Sequence, residues 1–486
     1  MVCRERRRRT RHVQRASDRL WRRLRHSGER RKDRHQGPLR TGFRLCPRGA
    51  IVKVGVVSLG CAKNLVDSEM IMGVLRGAGV EIVTDPAESD AIIVNTCGFI
   101  ESAKEEAVQT IAEMHGHGKK LIVCGCYAER YREKIAREMP YVDRIVGVRD
   151  YPQFGKILSD VFVREHLNFG APDYMNRFLA TSPATPYLKL SDGCDNRCTY
   201  CAIPLIRGDF KSRRFDDVVA EAELLAKNGA KELNLISQDT TRYGTDLSVD
   251  RHPLLPALLV RLCRIDGIKI VRVLYLYPDE ITDDLLLTMA AEPKIARYFD
   301  VPVQHASDAV LKRMNRRGGE AMLYELFAKI RRLMPDAILR TTLIVGFPGE
   351  TEADFAKLLS FVDAIGFDRL GAFAYSREED TPAFDMADQV PEDVKQARLE
   401  AVMKRQKKIV RIKNRAQIGT IHETIVEAYD PKSRFYYGRS RALAPDDVDG
   451  SLVFQSPQTL HLGDVAFVKV TSVFGYDLIG DAVFAQ

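Results

Sequence analysis

The run Gly193-Cys194-Asp195-Asn196-Arg197-Cys198-Thr199-Tyr200-Cys201 spaces three cysteines as C-x3-C-x2-C. Three thiolates are one fewer than an all-cysteine cubane iron–sulfur cluster takes, so one iron would be left open to a ligand other than protein. An open iron implies chemistry at that iron. A structural zinc site is the alternative, but it favours close cysteine pairs with a fourth Cys or His nearby. No His lies close to this run, and Tyr200, just before the last cysteine, suits an adenine neighbour.

A second group of cysteines precedes it. Cys61 follows an apolar strand in Ser58-Leu59-Gly60-Cys61, Cys97 follows one in Val94-Asn95-Thr96-Cys97, and Cys126 follows one in Val123-Cys124-Gly125-Cys126. If those strands are parallel neighbours, all three thiols reach the same C-terminal sheet edge, where such folds gather ligands. Cys124 falls inside its strand and reads as a small apolar core residue, as does Cys263 in a helical stretch. Four unrelated buried cysteines are the alternative for this group.

The elements that must position these groups alternate regularly. Strand patterns at Val52–Ser58, Val80–Val83, Ala91–Asn95, Leu121–Cys124 and Arg144–Val146, with helical stretches such as Asp67–Gly77 between them, predict an α/β domain on a mostly parallel sheet. Polar, irregular sequence around Asn168–Pro186 reads as a linker. Further strands at Tyr187–Leu190, Glu232–Ile236, Ile268–Leu276, Tyr298–Val303, Ala337–Val345 and Arg369–Tyr375 predict a partial (β/α)6 barrel, whose reactive groups belong at strand C-terminal ends. A charged helix, Glu392–Gln417, leads out. Short β runs at Thr420–Ala428, Leu452–Phe454 and Asp464–Ser472 then predict a small antiparallel β-barrel.

At 486 residues the chain has material for two to four domains. No apolar run approaches the ~18 residues of a membrane span, and ten cysteines without a secretory signal point to a reducing, cytoplasmic setting where cysteine spacing reads as metal binding. The net charge of +8 is unevenly spread. Residues 1–50 hold 17 Arg and 1 Lys against 4 acids, a net of +14, which leaves the rest of the chain at −6. That leader has no apolar period and reads as disordered. It is an RNA-binding arm, a transit peptide, or sequence upstream of a true start near Ile51; the last is the simplest account.

The C-x3-C-x2-C run resembles that of the radical S-adenosylmethionine superfamily. Ser58-Leu59-Gly60-Cys61-Ala62-Lys63-Asn64, Asn95-Thr96-Cys97 and Gly125-Cys126-Tyr127-Ala128 resemble the amino-terminal domain of the methylthiotransferase family, from about Val52 onward. Beyond the Arg-rich leader read from composition over 1–50, the resemblance implies a methylthiotransferase domain over 51–165, a radical S-adenosylmethionine domain over 180–417 and a TRAM domain over 418–486. It implies two 4Fe-4S clusters, the first on Cys61, Cys97 and Cys126 and the second on Cys194, Cys198 and Cys201. S-adenosylmethionine then serves as radical source and methyl donor. Its expected contacts are Tyr200, in the cysteine loop, and Ser237, Gln238 and Arg340, near predicted strand ends. Gly346-Phe347-Pro348-Gly349-Glu350 is either a cofactor border or a strand-to-helix turn. His305 is a pocket residue or, more simply, a structural one.

Several segments resemble the RimO-type members, which modify an aspartate of small-subunit ribosomal protein S-twelve, rather than those that modify tRNA adenosine. They include Ser191-Asp192-Gly193-Cys194, Ile236-Ser237-Gln238-Asp239-Thr240-Thr241, Leu274-Tyr275-Leu276-Tyr277-Pro278 and Val301-Pro302-Val303-Gln304-His305. Charge argues the same way: residues 418–486 carry 9 acids, Asp446, Asp447 and Asp449 among them, against 5 Lys or Arg. Such a surface would repel tRNA and attract a basic protein. The expected partners are ribosomal protein S-twelve or the small ribosomal subunit, an electron donor such as flavodoxin or ferredoxin, and a sulfur donor, with the enzyme a monomer. A non-enzymatic iron–sulfur sensor or electron carrier would need neither the open iron nor the barrel and tail together.

Overall fold

The computed structural model describes residues 51–163, 167–445 and 448–484; the leader, Asp446 and Asp447 lie outside the described residues. Strands β1 (Lys53–Ser58), β2 (Glu81–Val83), β3 (Ala91–Thr96), β4 (Lys120–Gly125) and β5 (Arg144–Gly147) form one parallel sheet in the order β2-β1-β3-β4-β5. β3 is buried throughout, as expected of a central parallel strand covered on both faces. The register sets Ser58 beside Asn95, and Thr96 beside Gly125. Cys61, Cys97 and Cys126 therefore leave three adjacent strands at the same edge.

The helix Ala62–Gly77 begins earlier than the sequence pattern indicates and is buried on nearly its whole circumference. It is packed between the sheet and the barrel, so its polar residues find partners instead of water. The stretch read as a linker is strapped to it: Phe178 N donates to Glu69 O at 3.0 Å, and Ala180 N to the Glu69 carboxylate at 3.0 Å.

The middle of the chain forms two parallel three-stranded sheets. One holds β6 (Tyr187–Lys189), β9 (Glu232–Ile236) and β10 (Ile270–Val273), in the order β10-β9-β6; the other holds β11 (Tyr298–Asp300), β12 (Ile338–Val345) and β13 (Arg369–Ala374). Leu276 N donates to Asp300 O at 2.9 Å across the seam. The six strands make an open barrel, and a two-stranded ribbon, β7 (Ser191–Asp192) with β8 (Lys211–Ser212), flanks the cysteine loop. Leu188, Leu233, Leu235, Val271, Phe299, Leu339 and Leu343 face the surrounding helices and form the largest apolar core.

After the helix Glu392–Ala416, strands β14 (Ile421–Asp430), β15 (Phe435–Ser440), β16 (Leu452–Gln455), β17 (Val465–Phe474) and β18 (Asp477–Val483) close a barrel in the order β14-β15-β16-β18-β17. This small barrel packs against the starts of the larger barrel's strands. Ile425 and Ala444 join Tyr187, Ile270 and Tyr298 in one cluster with Ala62 and Val66. Glu232 bridges two buried guanidiniums, Arg272 at 2.7 Å and Arg439 at 2.8 Å.

Candidate functional site

In the first cysteine group, Gly60 has φ +89°, and a Cβ there would lie 2.7 Å from Cys97 Cβ. Only glycine lets the loop carrying Cys61 close over Cys97. Asn64 fastens the three loops: its Nδ2 donates to Leu59 O at 2.7 Å and to Thr96 O at 3.3 Å, and its Oδ1 lies 3.8 Å from Cys126 Sγ. Asn95 returns a bond to Asn64 O at 2.9 Å. Burial pushes the Cys97 thiol up to about 12, with the Cys126 and Cys61 sulfurs adding to the effect. Cys126 is raised too, first by burial, and with the Cys61 sulfur contributing against Arg207. Cys124 is fully buried in the opposite core with Tyr151 and Phe154.

The second group lies on the loop between β7 and the helix Ile203–Arg207. Gly193 has φ +74°, and a Cβ there would fall 2.0 Å from Asp209 O. Cys194 N donates to Gly208 O at 3.2 Å, Thr199 N to Met314 O at 3.0 Å, and Asn196 Nδ2 to the buried Asp239 at 2.7 Å. Cys198 Sγ lies 3.7 Å from Arg316 Nη1 and 3.8 Å from Tyr277 OH. Burial pushes Cys194 up to about 11, and Cys201 higher still, with Cys198 and Cys194 contributing to the latter.

The donor sets suit the cluster that the sequence pattern implies. All six cysteines are free thiols. Around the second group the buried Ser191 Oγ, Ser237 Oγ, Gln238 Oε1 and Gln304 Oε1 have no hydrogen-bond partner. Orphaned polar atoms at the ends of neighbouring strands mark a place for a polar ligand.

Of the side chains expected to contact S-adenosylmethionine, Tyr200 lies beside Arg316 (3.3 Å) and edge-on to Phe347, Ser237 is fully buried, and Gln238 donates to Asp192 at 3.1 Å. Arg340 departs from expectation. It is the third residue of the eight-residue β12, not at its end, and pairs with Asp300 at 2.5 Å and Asp449 at 3.7 Å beside the small barrel. An inward-facing arginine low in the barrel is claimed by acids that seal the floor. Asp449, expected on a free acidic face, is itself buried there. Glu427 pairs with Arg439, while Asp464 accepts from His461 N. Asp449, Glu427 and Asp464 are thus engaged by neighbours within the described residues.

Sequence reasoning missed the residues that join the two groups. Asp67, on the helix Ala62–Gly77, accepts from Lys189 at 2.9 Å and Arg207 at 2.7 Å. Both cations also pair with Asp192, at 2.7 and 3.1 Å. Lys63 Nζ sits 3.1 Å from the centroid of the Tyr275 ring. The available signal was a run of polar residues on every side of one helix, which a solvated helix does not need.

Three family models match the chain: residues 53–147 match one described as the uncharacterized protein family UPF0004, 188–362 match the radical SAM superfamily, and 418–483 match the TRAM domain. The chain is 46% identical over 448 residues to ribosomal protein uS12 methylthiotransferase RimO of Acetivibrio thermocellus, covering 89% of this chain and 98% of that one. It is 47% identical to the protein of the same name from Pelotomaculum thermopropionicum, over 89% and 99% of the two chains. The fold is similar to that of TsrM, a radical S-adenosylmethionine methyltransferase from Kitasatospora setae, with a TM-score of 0.50 at 14% identity over 83% of this chain and 85% of that one.

Proposed function

This chain belongs to the RimO methylthiotransferase family, and from that premise we propose that it places a methylthio group on an aspartate side chain of ribosomal protein uS12. The observation that supports the reading is that Arg207, on the helix that follows the second cysteine group, pairs with Asp67 of the amino-terminal domain and lies 3.5 Å from Cys126 Sγ of the first group. In this reading Cys61, Cys97 and Cys126 hold one 4Fe-4S cluster, and Cys194, Cys198 and Cys201 hold another with an open iron. Bound there, S-adenosylmethionine supplies the radical chemistry that opens an unactivated C–H bond, and a methyl group.

The protein's part is positioning and exclusion of water. Tyr200, Ser237 and Gln238 are the proposed contacts to S-adenosylmethionine, supported by the unpartnered Ser237 Oγ and Gln238 Oε1. Asp192 orients Gln238 by accepting from its amide at 3.1 Å. Asp239 holds the cysteine loop through Asn196. The helix Ala62–Gly77 closes the space between the two groups, burying Lys63 and Asn64. The domain limits proposed are 51–165, 180–417 and 418–486. An electron donor of the flavodoxin or ferredoxin kind and a sulfur donor complete the reaction, the enzyme works as a monomer, and its substrate places it in the cytoplasm.

The test is a paired anaerobic assay of reconstituted enzyme with uS12 protein and with tRNA. A methylthio group in place of one hydrogen on one uS12 aspartate supports the reading. Modification of tRNA alone overturns it in favour of the adenosine-modifying activity.

A further inference from the structure

Arg207 is carried by the barrel, six residues after Cys201, yet its guanidinium points at the other cysteine group. The side chain is 1% exposed. Its Nη2 donates to Asp67 at 2.7 Å and lies 3.5 Å from Cys126 Sγ and 3.4 Å from Asn64 Oδ1. Its Nη1 is 3.1 Å from each oxygen of Asp192. Asp67, Lys189, Asp192 and Arg207 form a closed ring of two anions and two cations.

We infer that Arg207 is a positioning residue that acts across the domain interface, setting the reduction potential of the cluster on Cys61, Cys97 and Cys126. The inference rests on the two-cluster reading above. A hydrogen bond to a ligating sulfur favours the more negative, reduced cluster, and burial magnifies the effect. The planar fork is needed because one group must reach Asp67, Asp192 and the sulfur together, which a lysine ammonium cannot do. Arg316 is the natural comparison. It approaches Cys198 Sγ at 3.7 Å, donates to Pro302 O at 2.7 Å and stacks 4.2 Å from the centre of the Tyr277 ring, all within the barrel. It serves only the second group.

The experiment uses the full chain carrying Cys194→Ala, Cys198→Ala and Cys201→Ala, so that only the first cluster is present. Its midpoint is read by dithionite titration monitored by electron paramagnetic resonance. Adding Arg207→Lys should lower the reduced-to-oxidised ratio at fixed potential by roughly tenfold, about 59 mV for a one-electron couple. Asp192→Asn keeps Arg207 but removes a competing anion, and should move the midpoint the other way. In the reciprocal chain with Cys61→Ala, Cys97→Ala and Cys126→Ala, Arg207→Lys should leave the midpoint in place while Arg316→Lys lowers it. An unmoved first cluster, equal shifts in both backgrounds, or loss of the cluster from an Arg207→Lys protein with unchanged circular dichroism would overturn the inference. No cluster in the first background before Arg207 is touched would instead remove the two-cluster reading beneath it.

Discussion

Tyr298 donates its hydroxyl to the Asp449 carboxylate at 2.6 Å, joining the first residue of β11 to a loop of the small barrel. Both residues are buried, and Asp449 also accepts from Ala444 N at 2.9 Å. The acid therefore works as a bolt between domains.

Removing the bolt has a measurable cost. Tyr298→Phe keeps the ring and leaves a buried carboxylate short of one donor, for a loss of about 1–3 kcal/mol. Anaerobic urea unfolding should show a lower midpoint, with iron content unchanged. An unaltered midpoint would mean that the two barrels are not coupled through this pair.

Cys124 and Cys126 are two residues apart but have opposite roles. Cys124 is fully buried in the core with Tyr151, whereas Cys126 begins a helix at the sheet edge. Cys124→Ala should keep the full iron content and lose about 1 kcal/mol of stability. Cys126→Ala should lose the first cluster. Iron loss from Cys124→Ala would reassign the third ligand.

His305 is fully buried and neutral. Its Nδ1 accepts from Ser307 N at 2.9 Å, and burial lowers its pKa to about 3. Because the folded value lies below the unfolded 6.5, the unfolded chain takes up the proton first as pH falls. Stability contributed by the neutral ring is present above pH 6.5 and is lost toward pH 3. His305→Asn should flatten the slope of urea midpoints against pH in that window; an unchanged slope would contradict the assignment.

Glu378 anchors the loop after β13 to the amino-terminal domain through Arg130 at 3.0 Å and Lys104 at 3.1 Å, all three side chains largely buried. Breaking one member of such a group costs up to about 3–5 kcal/mol. Glu378→Gln should speed limited trypsin cleavage at the exposed Arg377. Equal cleavage rates would show that the loop is held by other contacts.

Much of this was legible in the sequence. The strands of the parallel sheet and the larger barrel follow their apolar runs, Glu232–Ile236 to the residue, because fully buried strands leave little else for those residues to do. β15 and β18 were not foreseen. Gly438 and Gly480 interrupt their apolar pattern, but both sit where a Cβ would strike a neighbouring strand's carbonyl, at 2.7 and 2.3 Å. The C-x3-C-x2-C run stands out because its spacing is local, and Cys61, Cys97 and Cys126 because each follows an apolar strand. Asp67, Lys189 and Arg207 do not, since their pairing spans more than 100 residues and an isolated charge in sequence looks solvated until its partner is known. Arg340 was misread for the same reason: its partner Asp449 comes from another domain.

The division of the six cysteines into two clusters is tested most directly by iron and sulfide counting on the anaerobically reconstituted chain and its two triple variants. The unaltered chain should hold about eight irons, and either triple Cys→Ala variant about four. The variant lacking Cys61, Cys97 and Cys126 should still cleave S-adenosylmethionine, and the variant lacking Cys194, Cys198 and Cys201 should not. About four irons in the unaltered chain, with one triple variant holding as many and the other none, would contradict the account.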